Sequence, residues 1–246
     1  MKKQLFRLAL STALSGALGA HAAVITFDGL EDSPLAPFMS MGLLGHNEEF
    51  YQAGMWIDPW STKSLRQDHD LVGALVNGSD LTNTCSGVIC PSNNATTFYA
   101  ALNDSQLYLG NVDGSTFGMS SFDASFVAAS GDVVPLTALI LRVDGFTDGV
   151  LTVSQDFSLP GPNAGAYSFS TYDFSTAFKA AQIDQVVFYG YNCDAAGLCG
   201  RASDKAQFAL DNIDISVNAV PEPSQWLLVG VALVALGAST RRRNPA

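Results

Sequence analysis

Apolar and polar positions alternate along much of this chain, in short runs with a period of two. VITFD (24–28) is the first such run. ATTFYAAL (95–102) and STFGMSSFDASFVAA (115–129) follow. After residue 135 come LTALILRVDGF, GVLTVSQDF, AYSFSTYDF, IDQVVFYGY and AQFALDNIDISV. A period of two sends successive side chains to opposite faces, which describes a strand and not a helix. Val, Ile, Phe, Tyr and Thr fill the runs, and Gly, Asn, Asp and Pro punctuate them. STAFKAAQ (175–182) predicts one helical turn. Residues 30–70 are the least regular part. Short strands at this spacing predict an all-β domain, a two-sheet β-sandwich of the jelly-roll kind.

The two ends break the pattern. Lys2, Lys3 and Arg7 precede an apolar run that closes on Ala20-His21-Ala22. A basic start, a short apolar stretch and a small-residue cleavage site make a secretory signal peptide. At the other end, Trp226 to Ala238 are thirteen apolar or Gly residues. A full membrane span takes about 20. Arg241, Arg242 and Arg243 follow, and a basic cluster beside an apolar span stays cytoplasmic. A single C-terminal hydrophobic helix at the inner membrane, with the domain exported, is the expected arrangement. The three regions are 1–22 (signal peptide), 23–218 (β-sandwich) and 219–246 (sorting and anchor segment).

Pro221-Glu222-Pro223, an apolar span and Arg241–Arg243 stand in that order in the last 26 residues. The arrangement resembles the PEP-CTERM sorting signal. The resemblance implies an exosortase-type sorting peptidase as partner, and a place at the cell envelope or outside the cell. Gln207-Phe208-Ala209-Leu210-Asp211 matches the QFxxD pattern of one PEP-CTERM subgroup. An ordinary C-terminal anchor is the other reading of the same tail.

The net charge of −11 understates the acidity of the exported part. Of twelve basic residues, three lie in the leader and three in the tail, leaving six against 22 acids in 24–220, a balance of −16. Such a surface excludes nucleic acid as partner and suits cations or neutral polysaccharide. The four cysteines fall in two close pairs, Cys85 with Cys90 and Cys193 with Cys199. Export favours disulfides, and proximity favours these two among three connectivities. A zinc site is the rival, although it prefers two to four intervening residues.

Catalytic motifs are absent. There is no G-x-S-x-G and no H-E-x-x-H; His46 in HNEEF has the wrong spacing. Asp68-His69-Asp70 reads as a solvated loop or a metal ligand set. No pair among the many acids is singled out for glycoside hydrolysis. FYQAGMWIDPW is more informative, because Trp and Tyr rings stack on sugars. Alternation puts Met55 and Ile57 on one face and Trp56 on the other. Trp56 is expected in the core, and Trp60 and Tyr51 are the candidate glycan contacts.

The opening VITFD, the closing FALDNIDIS and the middle runs also resemble the jelly-roll domains carried by many PEP-CTERM proteins and by carbohydrate-binding modules. That resemblance implies a non-catalytic surface or extracellular-matrix protein associated with exopolysaccharide or biofilm. An exported polysaccharide-active hydrolase on the same fold is the alternative. On the last strand, alternation groups Asp211 with Ala209 and Ile213. A carboxylate among apolar neighbours needs a partner. The first and last strands of a jelly roll commonly lie side by side, which brings Asp28 towards Asp211, with Glu31 in reach. The resemblance implies a structural calcium there; hydrogen bonds from a nearby loop would satisfy Asp211 instead.

Overall fold

The computed structural model describes residues 21–30, 42–63, 67, 70–85, 87–129, 137–194, 196, 198–200 and 205–217. Residues 1–20 of the leader, Glu31, Asp68, His69 and the whole tail with Pro221–Pro223 and Arg241–Arg243 lie outside them. Among the described residues no helix is long and apolar enough to cross a membrane.

Strands dominate. In chain order they are β1 His21–Ile25, β2 Leu43–Gly45, β3 Phe50–Gln52, β4 Met55–Trp60, β5 Leu71–Asn77, β6 Val88–Ile89, β7 Thr97–Ala101 and β8 Gln106–Asn111. There follow β9 Phe117–Phe126, β10 Ala128–Ala129, β11 Thr137–Thr147, β12 Val150–Pro160, β13 Ser170–Asp173, β14 Gln185–Cys193, β15 Cys199–Gly200 and β16 Phe208–Val217. They form two seven-stranded sheets and a small two-stranded one, β10-β6. The first runs β13-β9-β16-β7-β5-β2, with β1 also on β16; the second runs β12-β11-β14-β8-β4-β3, with β15 on β14. The non-sequential order within each sheet is the jelly-roll signature that the spacing predicts. Among the described residues helix is confined to short pieces. Ser175 caps the predicted turn, its side chain accepting from the Phe178 N–H, and the helix spans Thr176–Ala180.

The main core lies between the sheets. Phe122 packs against Phe157, Tyr172, Phe174 and Phe188, a cluster drawn from both sheets. The two sheets differ on their outer sides. β7 is buried at every position, because the first sheet carries a second apolar cluster outside, with Val76, Phe98, Ala100, Cys90 and Ala209 in it. The segment of Leu81–Thr84 and β6 covers that cluster, with Leu81, Cys85 and Val88 packed on it. By contrast β4 alternates strictly between buried and half-buried positions. Among the described residues, the second sheet's outer side carries no such apolar cover, as expected for an antiparallel sheet with one solvated face.

Cys85 and Cys90 are joined by a disulfide that pins the covering segment. Cys199 is also disulfide-bonded, and Cys193 stands directly opposite it on the β14–β15 ladder. The Cys85–Cys90 loop is short, so its closure contributes on the order of 2 kcal/mol. Replacing both residues by serine is expected to lower the melting temperature by roughly 4 to 8 °C. An unchanged melting curve by differential scanning calorimetry would show that the segment holds its place without the bond.

Three expectations need correction. VITFD is not all strand: β1 ends at Ile25, and Phe27 turns the chain with φ 58° so that its ring enters the core. Residues 30–70 are more regular than they read, since they contain β2, β3 and β4. On β16, Ile213 does not share a face with Asp211. The register slips between Asp211 and Asp214, where Asn212 takes φ 48°, and this bulge returns Ile213 to the inter-sheet core.

Candidate functional site on the open sheet face

Met55, Ile57, Leu107, Leu109 and Phe188 point into the main core. Their strand neighbours point outward. This sets Trp56, Asp58 and Trp60 of β4, Tyr108 of β8 and Tyr189 of β14 on one face. Register arranges them in rows across the sheet. Trp56 pairs with Gly110, Asp58 with Tyr108 and Trp60 with Gln106. The last row continues from Gln106 to Tyr189 and from Tyr189 to Arg142. Tyr51 of β3 stands opposite Trp56.

Two packing features fix the rings. A Cβ at Gly110 would stand 2.3 Å from Cζ2 and 2.6 Å from Nε1 of Trp56, so the indole lies directly over this residue. Glycine within a strand marks such close approach. Trp60 is held edge-on between His46, with ring centres 4.3 Å apart, and Tyr108, at 6.1 Å. His46 is itself buried and its Nδ1 accepts the Ser61 N–H. Trp60 and Tyr51 thus share the outer face, Trp60 half-buried and Tyr51 exposed. Trp56 is a correction: it shares that face and is half-buried there, while Met55 and Ile57 fill the core. Tyr51 is the most exposed ring of the group, at 59%, and its hydroxyl donates to Glu49.

The polar groups of the face are acidic on balance. Asp58 is pushed up to about 6 by burial first and by the Glu49 charge second. Its Oδ1 is buried with no hydrogen-bond partner. At the far side, Arg142 forms two bonds to Asp156, at 2.6 and 2.9 Å, and lies 5.8 Å from the Tyr191 ring centre. Tyr189 donates to Asp144 at 2.6 Å, and burial with that carboxylate raises its phenol above the usual range.

Asp28 and Asp211 make a second polar site, on the first sheet. Asp211 is 1% exposed. Its Oδ2 accepts from Asn94 at 2.6 Å and Thr96 at 3.3 Å, and its Oδ1 from the Asn212 N–H at 2.8 Å. Asp28 Oδ1 accepts the neighbouring Thr97 N–H at 2.9 Å. The loop bonds that the sequence allows are therefore present. They do not cancel the cost of burial, which pushes Asp211 up to about 6, with the Asp28 charge adding to it. No described lysine or arginine is ion-paired with either group. A polar cleft beside them is lined by Asn93, Asn94, Thr96, Asp123, Thr171 and Asn212. Among the described residues no group of three or more His, Cys, Asp or Glu could hold a metal. Calcium would thus take two carboxylates here and complete its oxygen shell from amide and backbone oxygens and water.

Residues 219–243 match the PEP-CTERM protein-sorting motif. That motif marks an exported protein handled by an exosortase. No curated protein matches the chain. Among solved structures, the CBM22-1 xylan-binding domain of Paenibacillus barcinonensis Xyn10C is 11% identical, with 83% of this chain and 99% of that one covered at a TM-score of 0.33. TmCBM61 in complex with beta-1,4-galactotriose is 6% identical, covering 65% and 88% at 0.31. The CBM22-1-GH10 modules of Clostridium thermocellum Xyn10B are 11% identical at 0.31, and the alignment spans only 25% of that chain. At these scores the likenesses carry no argument about what this chain binds.

Proposed function

We propose that the domain is a non-catalytic glycan-binding module, exported, sorted through its PEP-CTERM tail and at work in the extracellular matrix among exopolysaccharide. The observation that supports this is the open outer face of the second sheet. Trp56, Trp60 and Tyr108 stand there on adjacent strands, held by Gly110 and His46 before any ligand arrives. Trp56 and Trp60 are four residues apart on one strand, about 13 Å. Pre-set rings spaced along a strand suit an extended chain of sugar rings, whose apolar faces they can cover. Calcium at Asp28 and Asp211 completes the reading as a structural ion, away from these rings.

The test uses the exported protein on a panel of soluble polysaccharides in native affinity gels, with a reducing-end assay on the same mixtures. Retardation without new reducing ends is the expected result. Trp60→Ala is expected to weaken retention several-fold, roughly 1 kcal/mol. The hydrolase alternative predicts new reducing ends, generated by carboxyl groups such as Asp58 and Glu49. Neither retardation nor cleavage would leave a purely structural matrix component.

A further inference from the structure

Asp58 is not explained by stacking alone. It sits in the middle of the aromatic face, with Trp56 and Trp60 two residues away on each side and Tyr108 opposite. One carboxylate oxygen is buried and accepts nothing. Asp58 accepts no hydrogen bond from any described residue, and no described cation pairs with it. The charge that acts on it is that of Glu49, which is negative. An apolar residue would suit a plain stacking platform better, since a half-buried lone carboxylate opposes folding.

A ligand can complete this arrangement, and its chemistry is constrained. A sugar hydroxyl would supply one hydrogen bond and leave the charge. A divalent metal needs six or more oxygens, and rings surround this group instead. An ammonium supplies several donors and a positive charge, and aromatic faces attract it further. Uronic acids would meet Asp58, Glu49, Asp144 and Asp156, and among the described residues of this face Arg142 alone is basic. On the reading of this face as a glycan platform, we infer that its preferred ligand is a polysaccharide bearing free amino groups, with one sugar ammonium seated on Asp58 between Trp56 and Trp60.

The experiment compares three oligosaccharides of equal length by titration calorimetry on the exported protein: a β-linked glucosamine oligomer, its fully N-acetylated form and a neutral glucan. A pH near 6.5 keeps Asp58 largely ionised, being above about 6. The amino form is expected to bind at least ~10-fold more tightly than the acetylated form, ~1.4 kcal/mol. Asp58→Asn keeps the shape and removes the charge. It is expected to bring the amino and acetylated forms within about two-fold of each other. In the unaltered protein, about 0.5 M salt should shrink the same preference. Equal affinities in the unaltered protein would overturn the inference and leave the platform standing. A preference that survives Asp58→Asn would overturn it as well. Failure of all three ligands would remove the platform reading and this inference together.

Discussion

In EDTA, the melting temperature of the exported protein is expected to fall as pH rises from about 4 to above 6, and millimolar calcium to remove much of that fall. Asp211 carries this expectation. Its carboxyl has an ordinary value of 3.8 and stands at about 6 in the folded chain. A group raised in this way binds its proton more tightly when folded. Its contribution to stability is therefore complete below 3.8 and is lost as pH passes through about 6. Above that, two carboxylates, Asp211 and Asp28, face each other with no basic partner among the described residues. A cation reverses the balance, because it prefers both groups ionised. At 100 times its dissociation constant, calcium would stabilise by about 2.7 kcal/mol. For a domain of this size that is roughly 5 to 10 °C. Asp211→Asn is expected to abolish the calcium response and flatten part of the pH slope. The part due to Asp58, also raised to about 6, stays. If the curves with calcium and with EDTA coincide at pH 7, hydrogen bonds hold the acidic pair without a cation: Asn94, Thr96 and Asn212 on Asp211, and Thr97 on Asp28.

The strands that read most clearly from the sequence are those whose side chains meet one uniform environment per face. β11 is an example: Leu139, Leu141 and Val143 are buried and Ile140, Arg142 and Asp144 alternate with them. The approach of the first and last strands follows from jelly-roll topology instead, and β1 does pair with β16. What escaped is local. β4 contains Pro59, and proline within a run argues against a central strand. Here β3 accompanies β4 only from Met55 to Ile57, so Pro59 lies beyond its reach and no β3–β4 ladder bond is lost. The bulge at Asn212 could not be read either, since a one-residue insertion flips every later side chain and leaves no mark on the alternation before it. The apolar flanks Met55 and Ile57 point to a buried Trp56, yet those two fill the core and the indole takes the opposite face. Its burial here is partial and comes from lying across a neighbouring strand.

The signal that could have placed Trp56 is a glycine. LYLGN is a strand with Gly110 on its outward side, where most residues would serve better than one without a side chain. Only the close approach of Trp56 explains it. Gly110→Val therefore separates fold from function. Valine favours the strand, so the backbone gains conformational restriction and β-propensity. A Cβ at this position would overlap three atoms of the indole, at 2.3, 2.5 and 2.6 Å. The ring must swing away, and the platform loses one of its two indoles while Met55 and Ile57 keep their places in the core. The expected result is a melting temperature equal to or above that of the unaltered protein, with glycan affinity reduced at least ~30-fold, about 2 kcal/mol. Trp56→Ala should match the loss in affinity, and the double variant Trp56→Ala with Gly110→Val should add nothing to it, since both act on one ring. Affinity retained in Gly110→Val would mean that sugar rings bind elsewhere than over Trp56.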